Sequence, residues 1–197
     1  MRKLSLVALA LGATLATSAA SAAVIDFESV PTGVTSSVTV NDVTFTFTAG
    51  DGTFNVDSAS PGFPISNHSL ISYMRNPGTG AFNATRPGGF SLFSIGCGDF
   101  APSDDDDCRL DAYSAGNVLL DSSSFTQPQG HPGGGGMMSV SSATPIAYVR
   151  FYELGSFAGA VYWDNVEYTE ARATPEPASL ALLGLGLLGI GAARRRR

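Results

Sequence analysis

The sequence predicts an all-β domain, a β-sandwich of jelly-roll type, flanked by an N-terminal signal helix and a C-terminal hydrophobic helix. Two observations predict its strands. Apolar and polar residues alternate in short runs, most clearly Val43-Thr44-Phe45-Thr46-Phe47-Thr48 and Ala147-Tyr148-Val149-Arg150-Phe151-Tyr152-Glu153. A period of two marks a strand with one buried face. Helical periodicity is hard to find between Ala23 and Glu170, while 23 glycines, abundant Ser and Thr and only 14% charged residues suit short strands joined by turns.

The first segment is read as a signal peptide over residues 1–22. Arg2 and Lys3 precede the apolar stretch Leu4–Leu15, and Ala20-Ser21-Ala22 follows. A charged start, an apolar run of this length and small residues at alternate positions are what a signal peptidase reads. Ala20, Ala22 and Ala23 define the cleavage site, and the mature chain is expected to begin near Ala23.

Residues 23–170 form the expected sandwich. Its strands are read over Val24–Glu28, Val43–Thr48, Thr53–Val56, Leu70–Met74, Phe90–Ile95, Leu110–Ala115, Asn117–Asp121, Ala147–Glu153, Val161–Trp163 and Asn165–Tyr168. Asp51-Gly52 and Ala115-Gly116-Asn117 supply turns. About ten short strands in one domain suggest two packed sheets. The expected core is Phe27, Phe45, Phe47, Phe90, Phe93, Leu110, Val149, Phe151, Trp163 and Val166. Ser58–Asn67 and Gln127–Gly136 are read as exposed loops, with Gly133–Gly136 too flexible to form an ordered wall.

Charge narrows the function. Ala23–Thr174 holds five arginines, no lysine and 16 acidic residues, a formal charge of −11. Such a surface repels phosphate backbones, so no nucleic-acid partner is expected. It is compatible with divalent cations and neutral sugars.

Cys97 and Cys108 are the only cysteines. In an exported chain a disulfide between them is expected. It closes a loop around Asp104–Asp107 and stabilises the fold by about 3 kcal/mol in the chain-entropy account. The four aspartates make a solvated loop or attract a hard cation, but their spacing is not that of an EF-hand.

Catalysis finds little support. His68 and His131 are the only histidines, and no nucleophile elbow, zinc-binding His-Glu-x-x-His or phosphate loop is present. No catalytic residue is assigned. Acidic pairs are numerous enough to leave a polysaccharide hydrolase as an alternative. Tyr73, Tyr113, Tyr152, Tyr162 and Trp163 are aromatic platforms on which sugar rings can stack, or else core and sheet-face residues.

After a linker at 171–174, residues 175–197 carry Pro175-Glu176-Pro177, the apolar run Leu180–Ala193 and the cluster Arg194, Arg195, Arg196 and Arg197. The prolines hold the chain extended and accessible. As a helix, Ala178–Ala193 spans about 24 Å, somewhat short of the ~30 Å hydrocarbon core. Snorkelling arginines make up the difference and stay on the cytoplasmic side.

These three parts, in this order, resemble the PEP-CTERM sorting signal. The resemblance implies recognition by an exosortase-type membrane protease, cleavage near Pro175–Pro177, an inner-membrane intermediate and delivery to the cell envelope or extracellular matrix. Separately, Asp26-Phe27-Glu28 and Trp163-Asp164-Asn165-Val166-Glu167 resemble the first and last strands of jelly rolls similar to galactose-binding and carbohydrate-binding modules. That resemblance implies a structural Ca²⁺ held by Glu28 and Asp164, with Asp26 a weaker ligand. The expected function is a non-catalytic module binding extracellular polysaccharide. The alternatives are a purely structural surface protein and a hydrolase.

Overall fold

The computed structural model describes residues 22–171, apart from 49–51, 59, 72–79, 101, 103–104 and 155–160. The expected signal helix and sorting tail, including Ala20, Pro175–Pro177 and Arg194–Arg197, lie outside the described residues. So do Asp51, Tyr73 and Asp104. Among the described residues no helix is long and apolar enough to cross a membrane.

The described chain is all-β. Its strands are β1 (Ala22–Ile25), β2 (Gly33–Thr35), β3 (Ser37–Val40), β4 (Val43–Phe47), β5 (Phe54–Ser58), β6 (His68–Ile71), β7 (Phe82–Asp99), β8 (Asp106–Tyr113), β9 (Leu119–Gln127), β10 (Gly134–Glu153) and β11 (Tyr162–Glu170). All pair antiparallel in one continuous hydrogen-bonded network.

That network folds into two layers because β7 and β10 each serve both. The front sheet runs β3-β4-β7-β10-β8-β9 and uses Phe82–Thr85 of β7 and Tyr148–Glu153 of β10. The back sheet runs β2-β5-β6-β11-β7-β10 and uses Phe90–Asp99 and Gly134–Ser141, with β1 also on β11. The corner in β7 is made by Gly88 and Gly89, both in the left-handed region at φ 82° and 75°. There β10 carries register shifts on either side of Ile146. Strands that change sheets do so at such bends.

Between the layers lies a phenylalanine-rich core. Phe27 meets Phe45, Phe54 meets Phe82, and Phe151 meets Trp163, with ring centroids 5.0, 5.2 and 5.0 Å apart. All ten residues expected in the core are buried. Each large apolar side chain contributes roughly 1.5–3 kcal/mol by leaving water. Cys97 on β7 and Cys108 on β8 form a buried disulfide that ties the back sheet to the front, with Cα atoms 6.5 Å apart.

Three expectations are corrected. Gly134–Gly136 are not loose loop; they open β10, paired with Asp99, Gly98 and Cys97. Backbone and ring approach too closely here for any side chain: a Cβ on Gly135 would strike the Cys97 carbonyl, and one on Gly136 the Phe125 ring. Asp106 and Asp107 are strand rather than loop, Asp106 being buried and Asp107 accepting from the Thr126 hydroxyl at 2.6 Å. Trp163 is 3% exposed and stands in the core, so it offers no sugar platform.

Candidate functional site

The outer face of the front sheet gathers the polar chemistry of the domain. On β10, Val149 and Phe151 point inward, so Tyr148, Arg150 and Tyr152 point outward. On β8 the same alternation turns Arg109, Asp111 and Tyr113 outward. The register sets Tyr148 opposite Tyr113, Arg150 opposite Asp111 and Tyr152 opposite Arg109. Across the other edge of β10 come Thr85 and Asn83 of β7, then Thr44 and Thr46 of β4.

Asp111 organises this face. Although it belongs to the outward set it is only 4% exposed. It accepts from Arg109 Nε at 2.8 Å, the Tyr152 hydroxyl at 2.9 Å and the Tyr113 hydroxyl at 3.4 Å. Burial, and then the adjacent Asp111 carboxylate, raise both tyrosine pKa values, which keeps the phenols as donors. The hydrogen bond to Asp111 likewise raises Arg109. The Tyr113 and Tyr148 rings stack, 5.0 Å apart at 11°, and Tyr148 donates to Asn117 Oδ1 at 3.1 Å. Arg150 lies over the Tyr152 ring at 5.7 Å and, among the described residues, forms no salt bridge.

Beside this cluster lies an open groove of about 430 Å³, lined by Thr46, Thr48, Asn83, Thr85, Tyr148 and Arg150. Asn83 Oδ1 is buried and without a hydrogen-bond partner. The groove therefore offers hydroxyls, an unused acceptor, a guanidinium and a flat aromatic face. A larger trough of about 640 Å³ runs along Ser29–Asn41, but no ionisable or aromatic side chain lines it.

Of the aromatic platforms expected from sequence, Tyr113 and Tyr152 belong to this face. Tyr162 lies on the back sheet. Tyr148, Asn83, Thr46 and Thr85 were not expected. The spacing Tyr148-x-Arg150-x-Tyr152 places three such residues on one face, but their partners on β4, β7 and β8 appear only with the register.

Glu28 and Asp164 converge on one short segment, Ser66–His68. Glu28, just past β1, accepts from the His68 N–H at 3.3 Å. Its slight desolvation opposes ionisation, but hydrogen bonds from His68, Ser66 and Asn67 prevail and hold the carboxyl below its usual value. Asp164 is fully buried; its Oδ2 accepts from Ser66 N–H at 2.7 Å and Ser66 Oγ at 2.6 Å, while Oδ1 has no partner. Burial pushes its pKa from 3.8 up to about 6; the charge of Glu28 adds to the rise, and hydrogen bonds from Ser66 and Asn165 oppose it. Among the described residues no three His, Cys, Asp or Glu cluster into a metal site. The fit to Ca²⁺ rests on oxygen chemistry: one buried, unsatisfied carboxylate oxygen beside a second carboxylate, the hard donors this ion prefers. Asp26 turns back to accept from the Glu28 N–H at 3.2 Å and is exposed.

The first and last described strands meet at one end of the sandwich. Ala22 and Ala23 pair with Thr169 and Tyr168, so β1 begins beside the end of β11. That end is fastened: Arg86 forms a 2.7 Å ion pair with Glu170, and the Ala171 N–H reaches the Gly89 carbonyl at 3.2 Å.

Residues 173–197 match the PEP-CTERM protein-sorting motif. No curated protein matches the chain significantly. Among solved structures, the chain is similar to the K1 cleaved adhesin domain of Lys-gingipain from Porphyromonas gingivalis W83, at TM-score 0.46 and 16% identity over 78% of this chain and 99% of that one. It is also similar to the CBM22-1–GH10 modules of Clostridium thermocellum xylanase 10B, complexed with xylohexaose, at TM-score 0.44 and 8% identity. There the match covers 68% of this chain but spans only 27% of the length of the other. For the family 11 carbohydrate-binding module of Clostridium thermocellum the TM-score is 0.35 and the identity 12%, over 78% and 98% of the two chains. The all-β sandwich is thus followed by a PEP-CTERM protein-sorting motif, which marks the chain for export and sorting to the cell envelope.

Proposed function

We propose that the sandwich is a non-catalytic module that binds extracellular polysaccharide, delivered by an exosortase-type system. The carrying observation is the groove on the front sheet, where Asp111 fixes two tyrosines beside Tyr148, Arg150 and the unpartnered Asn83 acceptor. Pyranose rings present C–H faces that stack on aromatic rings and hydroxyls that pair with Thr, Asn and Arg. A fixed aromatic and polar face meets both needs without a large ordering penalty.

In this reading signal peptidase releases the chain near Ala23. The Pro175–Pro177 segment is cut by the exosortase-type protease while the apolar run holds an inner-membrane intermediate. Ca²⁺ occupies the Glu28–Asp164 site and locks the Ser66–His68 segment against β11.

A glycan array probed with the full chain tests the function. Retention of one or more matrix polysaccharides is expected, weakened at least about fivefold by Tyr148→Ala, as the loss of one stacking contact implies. No reducing ends should be released. Absence of any retained glycan favours a purely structural surface protein, and release of reducing ends favours a hydrolase.

A further inference from the structure

We propose that the domain carries a second sugar contact on the back sheet, formed by Phe63, Phe100 and Tyr162, so that one copy bridges two polysaccharide chains. This inference rests on the polysaccharide reading above and extends it.

Phe63 is 80% exposed, the most exposed of the large apolar side chains among the described residues, and Phe100 is 49% exposed. Neither is loosely held. Phe63 stands in the turn Gly62–Ile65, closed by the Ile65 N–H to the Gly62 carbonyl at 2.8 Å. The Asn165 side-chain amide donates to the Pro64 carbonyl, and Ser66 is bound twice to Asp164. Pro64 covers Gly96, and Gly62 lies against Gly134, so small residues on β7 and β10 let the turn sit flat on the sheet. Phe100 packs edge-on against Tyr162, centroids 5.7 Å apart at 90°. The Pro61 and Phe100 carbonyls both border Gly133, which brings the two backbone segments side by side.

This surface faces away from the groove. Cys97 points into the core toward Cys108, so its neighbours Gly96 and Gly98 mark the outer side of the back sheet. Trp163 is likewise inward and Tyr162 outward. The groove lies on the outer side of the front sheet. The patch is also far from the other end of β11: Tyr162 begins that strand and Glu170 ends it. Eight residue steps of about 3.3 Å separate them, roughly 26 Å.

Charge and size favour sugar as the occupant. Asp99 borders the patch, its Oδ1 accepting from the Phe100 N–H at 2.6 Å, and Ala23–Thr174 carries a formal charge of −11. Anionic lipid and a second copy of this chain are both repelled. Three partly exposed rings offer a few hundred Å², below the ~800 Å² per partner of a stable protein interface. That area suits one or two neutral pyranose rings, whose hydroxyls can use the Asp99 carboxylate.

The test mixes the full chain, held at one copy per detergent micelle, with soluble β-glucan, xylan, galactomannan and dextran. Affinity electrophoresis reports binding, and light scattering reports cross-linking. The wild type is expected to bind and to raise the scattering of at least one neutral polymer. The double variant Phe63→Ala, Phe100→Ala is expected to abolish the scattering while its retention falls by no more than about twofold, since distant sites act independently. Tyr148→Ala is expected to abolish scattering and also to weaken retention. Scattering unchanged in the double variant overturns the second contact while leaving the groove reading intact. No binding by the wild type overturns both. Dimerisation of the wild type without polysaccharide, lost in the double variant, reassigns the patch to self-association. Binding of the sugar-free wild type to phosphatidylglycerol vesicles, lost in the same variant, reassigns it to lipid.

Discussion

Asp164→Asn offers a direct test of the buried carboxylate. Burial raises Asp164 from 3.8 to about 6. At about 1.4 kcal/mol per pH unit, ionisation of this group costs the folded chain about 3 kcal/mol when no cation compensates it. The folded state then holds its proton more tightly than the unfolded state. Above pH 6 both states are ionised and the cost is present in full; below 3.8 both are protonated and it is gone. The wild type without calcium is therefore expected to gain stability relative to Asp164→Asn as the pH falls from 7 toward 4. For a chain of this size, 3 kcal/mol corresponds to a melting shift of roughly 6–12 °C. Calorimetry of both proteins at several pH values, with chelator and then with millimolar Ca²⁺, supplies the measurement. Calcium should flatten the difference, because the ion neutralises the charge that burial penalises. Parallel pH profiles for the two proteins in chelator would refute the reasoning. An unchanged wild-type profile in Ca²⁺ would remove the ion from the site.

Three further outcomes are expected. Cys97→Ser with Cys108→Ser should lower stability by about 3 kcal/mol in denaturant titration, and non-reducing peptide mapping of the exported wild type should recover the cross-linked pair. Asp111→Ala removes the acceptor shared by Arg109, Tyr113 and Tyr152. It should cost about 2–4 kcal/mol by thermal melting and weaken glycan retention as well, since one charge-assisted and two phenolic hydrogen bonds are lost. Gly135→Ala should destabilise by more than about 2 kcal/mol, because its Cβ has no room beside the Cys97 carbonyl; a melting temperature within 2 °C of wild type would count against that packing.

Much of the sandwich was legible as alternation. β4 and the second half of β10 show apolar residues at every other position, and their burial follows that pattern. The first half of β10 was not legible. Its Gly134–Gly136 opening resembles a flexible linker, yet a neighbouring strand and the Phe125 ring leave no space for side chains at Gly135 and Gly136, and Gly134 has a φ of 116° that favours glycine. Ser122-Ser123-Ser124 in β9 was missed for a different reason: β9 pairs with β8 on one side and ends the front sheet, so it needs few apolar residues to hold its place.

The two sides of the site differ in the same way. Glu28 and Asp164 were singled out because they lie beside or within short, recognisable first and last strands, but Ser66, which bonds Asp164, gives no signal of its own. The groove needed the register. Asn83, Thr46, Arg150 and Asp111 are scattered over the chain and become neighbours only when β4, β7, β10 and β8 are laid side by side. Trp163 was open to two readings, core or sugar platform, and its place on β11 beside outward Tyr162 settles it in the core.

Hydrogen exchange of the full chain with and without saturating polysaccharide tests the central claim most directly. Protection is expected to concentrate on Thr46–Thr48, Asn83–Thr85 and Tyr148–Arg150, the three stretches that line the front-sheet groove. Binding that leaves those amides unchanged and protects only other parts of the domain would contradict it.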